Sequence, residues 1–198
     1  RDWPEHSIDL GFLVSNDGTH FREPAVESVF IRRGDDGEWD QGGLIQGQGF
    51  ENVGDETYIW YGAWDPRFHS PFRPRGGLGL AILERDRFGA LTPYKDGRAS
   101  LVTSDLQLEG PGSLFLNASG LSKDSRLTVE LLDGKERGVP GYSGEHAISV
   151  TQSGLQVPVR SDGRMINFRE PFKIRICFEG SRSTSAKLYA IYLVSKSK

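Results

Sequence analysis

The chain has 198 residues, of which 36% are hydrophobic and 26% charged, and its formal net charge is -3. These values are typical of a folded globular protein with one or two domains, and they exclude a disordered or collagen-like chain. The charge gives no overall attraction to nucleic acid or to an anionic membrane. The longest apolar run, residues 188–194, is far shorter than the roughly 20 residues of a membrane-spanning helix.

Charge and tryptophan are distributed unevenly along the chain. Residues 1–75 contain seven arginines, no lysine and fourteen acidic residues, whereas residues 76–198 contain seventeen basic and thirteen acidic residues. All four tryptophans lie in the first region. Between the two regions, residues 65–77 include three prolines and two glycines, a composition typical of a loop or linker. We therefore predict two domains, residues 1–75 and residues 76–198.

The first region is predicted to be rich in short strands separated by long polar loops, at residues 8–15, 28–32, 43–46 and 58–61. Four short strands per unit is the pattern of a propeller blade. After the first of these strands, Asp17-Gly18 favours a tight hairpin turn, and Phe21 is expected to return to the core.

The segment Ser15-Asn16-Asp17-Gly18-Thr19-His20-Phe21 resembles the Asp-box turn of sialidases and other propeller blades. It differs in that glycine follows Asp17 directly and phenylalanine stands where the box has tryptophan. An ordinary hairpin turn is the alternative interpretation. In both interpretations the turn is structural rather than catalytic.

The second region is predicted to be an antiparallel β-sandwich of the jelly-roll type. Its clearest strand is residues 172–179, where alternation places Phe172, Ile174, Ile176 and Phe178 on one face. Cys177 falls on the opposite face, which could be solvent or a second buried surface. Further strands separated by turn signals are predicted at residues 78–83, 99–108, 113–118, 126–132, 147–150, 155–159 and 187–194. The predicted fold class is therefore all-β, with partial propeller blades followed by the sandwich.

Three motifs give the chain a family resemblance. They are Gly77-Leu78-Gly79-Leu80 after the blade, Leu127-Thr128-Val129-Glu130-Leu131-Leu132-Asp133-Gly134 leading to Val139-Pro140-Gly141-Tyr142-Ser143, and the closing pair Lys173-Ile174-Arg175-Ile176-Cys177-Phe178 and Ala186-Lys187-Leu188-Tyr189-Ala190-Ile191. In this order they resemble the C-terminal part of glycoside hydrolases of the five-bladed β-propeller superfamily, in particular families 32 and 43. The motifs mark the fold and carry no catalytic group.

The resemblance implies a carbohydrate partner and a parent protein that hydrolyses glycosidic bonds, in a secreted or periplasmic location. The family 32 motifs W-x-N-D-P-N-G, R-D-P and E-C are absent from this sequence. The chain begins at Arg1, its only methionine is Met165, and it is too short for five blades. We therefore expect a piece of a longer chain that braces the propeller and is not catalytic alone.

Carboxylates flanked by aromatic residues and glycines are the candidate sugar-binding groups, because aromatic rings stack on sugar rings and carboxylates bind hydroxyls. The expected set is Trp39, Asp40, Glu51, Trp60, Trp64 and Asp65. The structural alternative is that these aromatics pack in a core and that the acids are solvated turn residues. The sequence does not identify a catalytic pair.

No metal or other cofactor is expected. Residues 32–38 are rich in acidic groups, but their spacing matches no EF-hand and favours an exposed hairpin over a calcium loop. The four histidines are too widely spaced for a zinc site, and the single cysteine has no neighbouring base to activate it.

Two other functions remain open. The chain could be a non-catalytic carbohydrate-binding module that uses Tyr142, Tyr189 and Tyr192 of the sandwich for stacking. It could also be a structural interaction module that docks through a strand edge. The sequence gives no indication of the oligomeric state.

Overall fold

The computed structural model of the chain describes residues 7–64, 76–159, 166 and 170–195. Within these ranges the regular elements are β-strands and two short 3₁₀ turns, without an α-helix, and no sheet closes into a barrel. The predicted all-β class is therefore confirmed. The chain divides into two compact units, Arg1–Arg85 and Asp86–Lys198.

The first unit contains an antiparallel three-stranded sheet in the order β3-β4-β5. Its five described strands are β1 (Val14–Ser15), β2 (Phe21–Arg22), β3 (Gly43–Val53), β4 (Glu56–Trp64) and β5 (Gly76–Glu84). Strands β3 and β4 form a hairpin in which Gly54 has a φ of 59°, a conformation that favours glycine. The predicted strands 43–46 and 58–61 thus exist and are longer than expected.

Strand β5 pairs with β4 along its whole length, from Glu56 opposite Glu84 to Trp64 opposite Gly76. This strand therefore belongs to the first unit, although the composition of the chain placed it with the second. The division of the structure accordingly lies between Arg85 and Asp86, after the Gly-Leu-Gly-Leu strand rather than before it.

The predicted strands at residues 8–15 and 28–32 are wrong in extent. In their place the structure has the two-residue strand β1 and isolated bridges, with Ile8 beside Gly43 and Leu10 opposite Ile31. A few backbone hydrogen bonds, such as that of Leu10 N–H to the Ile31 carbonyl at 2.9 Å, and a side-chain contact hold these segments together without a continuous ladder. Asp9 accepts hydrogen bonds from the backbone N–H and the guanidinium of Arg33, at 2.8 and 3.0 Å.

The predicted hairpin turn joins β1 to β2, and Asp17 is its centre. Asp17 Oδ1 accepts the N–H groups of Thr19 and His20 at 2.9 and 2.8 Å, while Ser15 Oγ accepts the N–H of Gly18 at 2.9 Å. Phe21 does not return to the core as expected, since 62% of its surface is exposed. The turn is stable through its own local hydrogen bonds and does not require an anchoring ring.

The second unit is a sandwich of two antiparallel sheets, in the orders β6-β11-β8-β9 and β10-β7-β12. Its strands are β6 (Ala99–Val102), β7 (Gly112–Ser119), β8 (Arg126–Asp133), β9 (Ile148–Val150), β10 (Gly154–Pro158), β11 (Phe172–Glu179) and β12 (Lys187–Ser195). Seven of the predicted strands therefore exist, although the one expected at 99–108 ends at Val102. The buried core lies between the two sheets.

Alternation in β11 has the predicted consequence. Phe172, Ile174, Ile176 and Phe178 are all buried in the core between the sheets. Cys177, on the opposite face, is also buried, and the guanidinium of Arg98 lies 3.8 Å from its Sγ. The outer face of this sheet therefore buries Cys177 next to long charged side chains, of which Arg98 itself remains largely exposed.

Truncation of the central core residue should test this packing. We expect Ile176→Ala to lower the free energy of unfolding of the second unit by about 2–5 kcal/mol, because the side chain is fully buried and its loss leaves a cavity. Val194→Ala, at a position 53% exposed on β12, is the control and should change stability by no more than about 0.5 kcal/mol. Equal effects in denaturant unfolding would contradict the assigned core.

The Asp17 turn makes a prediction about pH. Hydrogen bonds from the backbone and side chain of His20, then from the backbone of Thr19, hold the pKa of Asp17 well below its usual range. Ionised Asp17 therefore stabilises the hairpin above the ordinary pKa, and this contribution is lost as the pH falls through the lowered value.

An NMR titration of the Asp17 carboxyl should show the low midpoint directly. His20→Ala removes the 2.6 Å contact of Nδ1 with Asp17 but keeps the backbone donor, so the midpoint should rise only part of the way. An ordinary midpoint in the wild-type chain would show that these bonds do not form in solution.

Candidate functional site

The loop of residues 33–42 carries Trp39 and Asp40 to one face of the three-stranded sheet. The loop is held by its own hydrogen bonds: Glu38 N–H donates to the Asp35 carbonyl at 3.0 Å, and Gly37 N–H donates to Gln41 Oε1 at 2.6 Å. Gln41 itself is buried. The Gln41 side chain is therefore engaged within the loop, and these bonds fix the point at which the loop joins β3.

Two aromatic rings lie over the glycines of β5. Trp39 and Tyr61 are stacked, with ring centroids 6.1 Å apart and an interplanar angle of 17°. A Cβ added to Gly77 would touch the Trp39 ring at 3.0 Å, and a Cβ added to Gly79 would collide with the Tyr61 ring. The alternating glycines of β5 thus provide flat backbone on which the rings rest.

Asp40 is anchored against this aromatic pair. Its side chain is buried, with the residue only 7% exposed, and its Oδ2 accepts a hydrogen bond from the Tyr61 hydroxyl at 3.2 Å. Burial, and then the bond to Asp40 and its charge, raise the pKa of Tyr61. The tyrosine is therefore held as a neutral donor to the carboxylate.

The arrangement combines an apolar ring with a fixed acceptor. Trp39 remains 41% exposed although it stacks on Tyr61, so part of its surface faces solvent beside the loop. A half-exposed tryptophan next to a carboxylate can stack on the C–H face of a sugar and accept from its hydroxyls. We call Trp39, Asp40 and Tyr61 the aromatic–carboxylate cluster.

The other expected sugar-binding residues do not join this cluster. Trp60 and Glu51 project from the opposite face of the sheet, because Trp60 alternates with Tyr61 and Glu51 pairs with Tyr58. Trp60 instead makes an edge contact with the ring of Tyr58, at 6.3 Å between centroids. Trp64 ends β4 and its side chain lies outside the described part of the structure, as does the whole of Asp65.

Tyr61 and the two glycines were not among the expected site residues. Tyr61 directly follows Trp60 in β4, so strand alternation places the two rings on opposite faces of the sheet. The presence of aromatic residues in the sequence therefore did not indicate which of the two rings contacts Asp40. The signal that was available is Gly77-Leu78-Gly79 in a strand pattern, because glycine inside a strand often marks a close approach by another group.

The opposite face of the same sheet is apolar and open. Leu78, Leu80 and Ile82 of β5 project from it and are 75%, 42% and 54% exposed, and Ile45 of β3 is also exposed there. An isolated exposed leucine needs no explanation, but a row of apolar side chains on one sheet face is typical of a surface that packs against another structure.

The tyrosines of the sandwich are engaged rather than presented as a platform. The guanidinium of Arg87 lies 4.5 Å from the centre of the Tyr189 ring. The Tyr192 hydroxyl donates to Asp86 at 2.6 Å and lies 3.4 Å from the amide of the fully buried Asn117. These contacts reduce the aromatic surface that two of the three tyrosines could offer to a sugar.

The described residues contain no group of three or more His, Cys, Asp and Glu side chains arranged to hold a metal ion. Among the same residues, no helix has the length and apolar character needed to cross a membrane. Comparison with protein-family models, curated proteins and solved structures finds no match to this chain.

The glycine at position 79 is the sharpest test of the cluster. We expect Gly79→Ala to destabilise the first unit by about 1–3 kcal/mol, because its methyl group would occupy the space of the Tyr61 ring. Gly49→Ala is the matched control, since no atom lies within 4 Å of a Cβ at that position. Denaturant unfolding followed by tryptophan fluorescence should separate the two variants, and equal stability would contradict the ring placement.

Proposed function

We propose that this chain binds carbohydrate through the aromatic–carboxylate cluster. The observation that carries the proposal is the half-exposed Trp39 ring, which rests over Gly77 beside the ring of Tyr61, together with the buried Asp40 to which Tyr61 donates. Each part has a role in sugar recognition. The ring provides an apolar stacking surface, and the carboxylate provides an acceptor that is already oriented before the ligand arrives.

In this proposal the chain is the C-terminal part of a protein similar to glycoside hydrolases of the five-bladed propeller superfamily. The three-stranded sheet would be part of a blade, and the sandwich a jelly roll that braces it. The exposed row of Leu78, Leu80 and Ile82 supports this assignment, because a blade needs an apolar face to pack on its neighbour. Secretion or a periplasmic location follows from the same resemblance.

The proposal assigns binding rather than catalysis to this chain. Glycoside hydrolysis needs two carboxyl groups about 5–9.5 Å apart, one of them kept protonated. Here the Asp40 carboxylate is paired with a tyrosine hydroxyl. We propose that the nucleophile and the acid belong to other blades of the parent protein.

Removal of the stacking ring tests the proposal. Trp39→Ala should weaken oligosaccharide binding by roughly tenfold or more, since the loss of a central contact costs about 1.4 kcal/mol or more. Trp60→Ala, on the opposite sheet face, is the matched control and should bind as the wild-type chain does. Titration calorimetry against a panel of plant and bacterial oligosaccharides measures both, with circular dichroism to confirm folding.

Two outcomes would contradict the assignment. Binding that is unaffected by Trp39→Ala would place the sugar elsewhere, for example on the sandwich of the alternative binding module. Hydrolysis of aryl-glycosides by the isolated chain, abolished by Asp40→Asn, would show that the cluster is catalytic. Asp40→Asn should otherwise keep the acceptor for Tyr61 and reduce binding only moderately.

A further inference from the structure

The sandwich contains a cavity of about 190 Å³ between its two sheets. One wall is formed by β7 and β10 and the other by β8 and β9, and β9 and β10 are the edge strands of their sheets. Its lining includes the apolar side chains of Leu114, Val129, Leu131, Ile148, Val159 and Ile166, together with the uncharged polar residues Ser113 and Tyr142. The cavity therefore lies beside the edge strands β9 and β10 rather than at the centre of the sandwich.

The cavity adjoins a fully buried core. Leu116, Phe172 and Ile176, which belong to the same core, have no exposed surface. Protein interiors contain few voids larger than a water molecule, because each void forfeits dispersion contacts on its walls. A cavity of this size beside a buried core is therefore larger than the voids that protein interiors usually contain.

The walls indicate what the cavity would accept. Water needs two to four polar partners to remain in a cavity, whereas an apolar cavity of roughly 150 Å³ stays dry and binds benzene or xenon. Glu130 adjoins the cavity but projects from the outer side of β8, where its carboxylate accepts from Gly144 N–H at 2.9 Å and pairs with Arg175 at 3.3 Å. The lining therefore offers apolar contact and no free charge for an ionic ligand.

We propose that this cavity is a binding site for an uncharged apolar group of about the size of a benzene ring. The proposal does not depend on carbohydrate binding by the first unit. The ligand would gain burial of its apolar surface against both sheets and would stabilise the second unit, since a ligand that binds only the folded state shifts the unfolding equilibrium.

A matched pair of variants tests the cavity. Val129→Ile adds a methyl group toward the cavity, and Val150→Ile adds the same group to a buried position of the adjacent strand that does not line it. We expect Val129→Ile to keep or raise the melting temperature of the full chain and Val150→Ile to lower it, because only the second is overpacked. A lower melting temperature for both would overturn the proposal.

Benzene is the probe for binding. It should raise the melting temperature of the wild-type chain and of Val150→Ile, and it should bind Val129→Ile about tenfold more weakly or worse. Methyl NMR should show shifts at Leu114, Leu131 and Ile148, and this readout does not require that a variant fold. Absence of any benzene effect on the wild type, or an equal effect in Val129→Ile, would overturn the proposal.

Discussion

The arrangement of the first unit depends on the contact between two aromatic rings and the bare backbone of β5. Trp39 rests over Gly77 and Tyr61 over Gly79, and neither ring could do so if the strand carried side chains on that face. Tyr61 makes two contacts here, because its ring lies beside and nearly parallel to Trp39 and its hydroxyl donates to Asp40. The positions of the stacking ring and of the acceptor are therefore coupled through one side chain, which β4 orients.

The exposed sheet faces of the two units differ in the polarity of their side chains. In the sandwich, the outer face of β8 and β11 carries ion pairs. Glu130 pairs with Arg175, and Glu179 pairs with Arg126 at 3.4 Å and accepts from Thr128 at 3.0 Å. In the first unit, the face opposite the cluster carries the exposed row that begins at Leu78. A sheet face that carries ion pairs is well solvated by water, whereas an apolar sheet face is stabilised when another surface buries it. This difference supports the proposal that the first unit belongs to a larger β assembly.

Local patterns predicted the second unit well and the first unit poorly. Alternation in β11 and turn residues between strands are properties of a few neighbouring residues, and they identified the sandwich strands and the buried face of Phe172 to Phe178. Residues 8–15 and 28–32 look like strands by the same criterion, but pairing there is reduced to bridges such as Leu10 with Ile31, and contacts such as that of Asp9 with Arg33 are distant in sequence. The sequence prediction of the cluster was incomplete for the same reason. Trp39 and Asp40 were identified by composition, whereas strand register brings their partners Tyr61 and Gly79 into place.

The protonation of Tyr61 is one reason for proposing that the cluster binds a ligand rather than acting as an acid–base pair. A catalytic pair needs a group that changes its protonation near the working pH, so that it can give and take a proton during turnover. Tyr61 is the opposite case, because burial and Asp40 raise its pKa and keep the hydroxyl protonated through neutral and mildly alkaline conditions. A donor that does not release its proton cannot act as a base, but it holds the carboxylate in one orientation at every pH where the acid is ionised. Such a fixed acceptor beside an exposed ring is suited to recognising a hydroxylated ligand that leaves chemically unchanged.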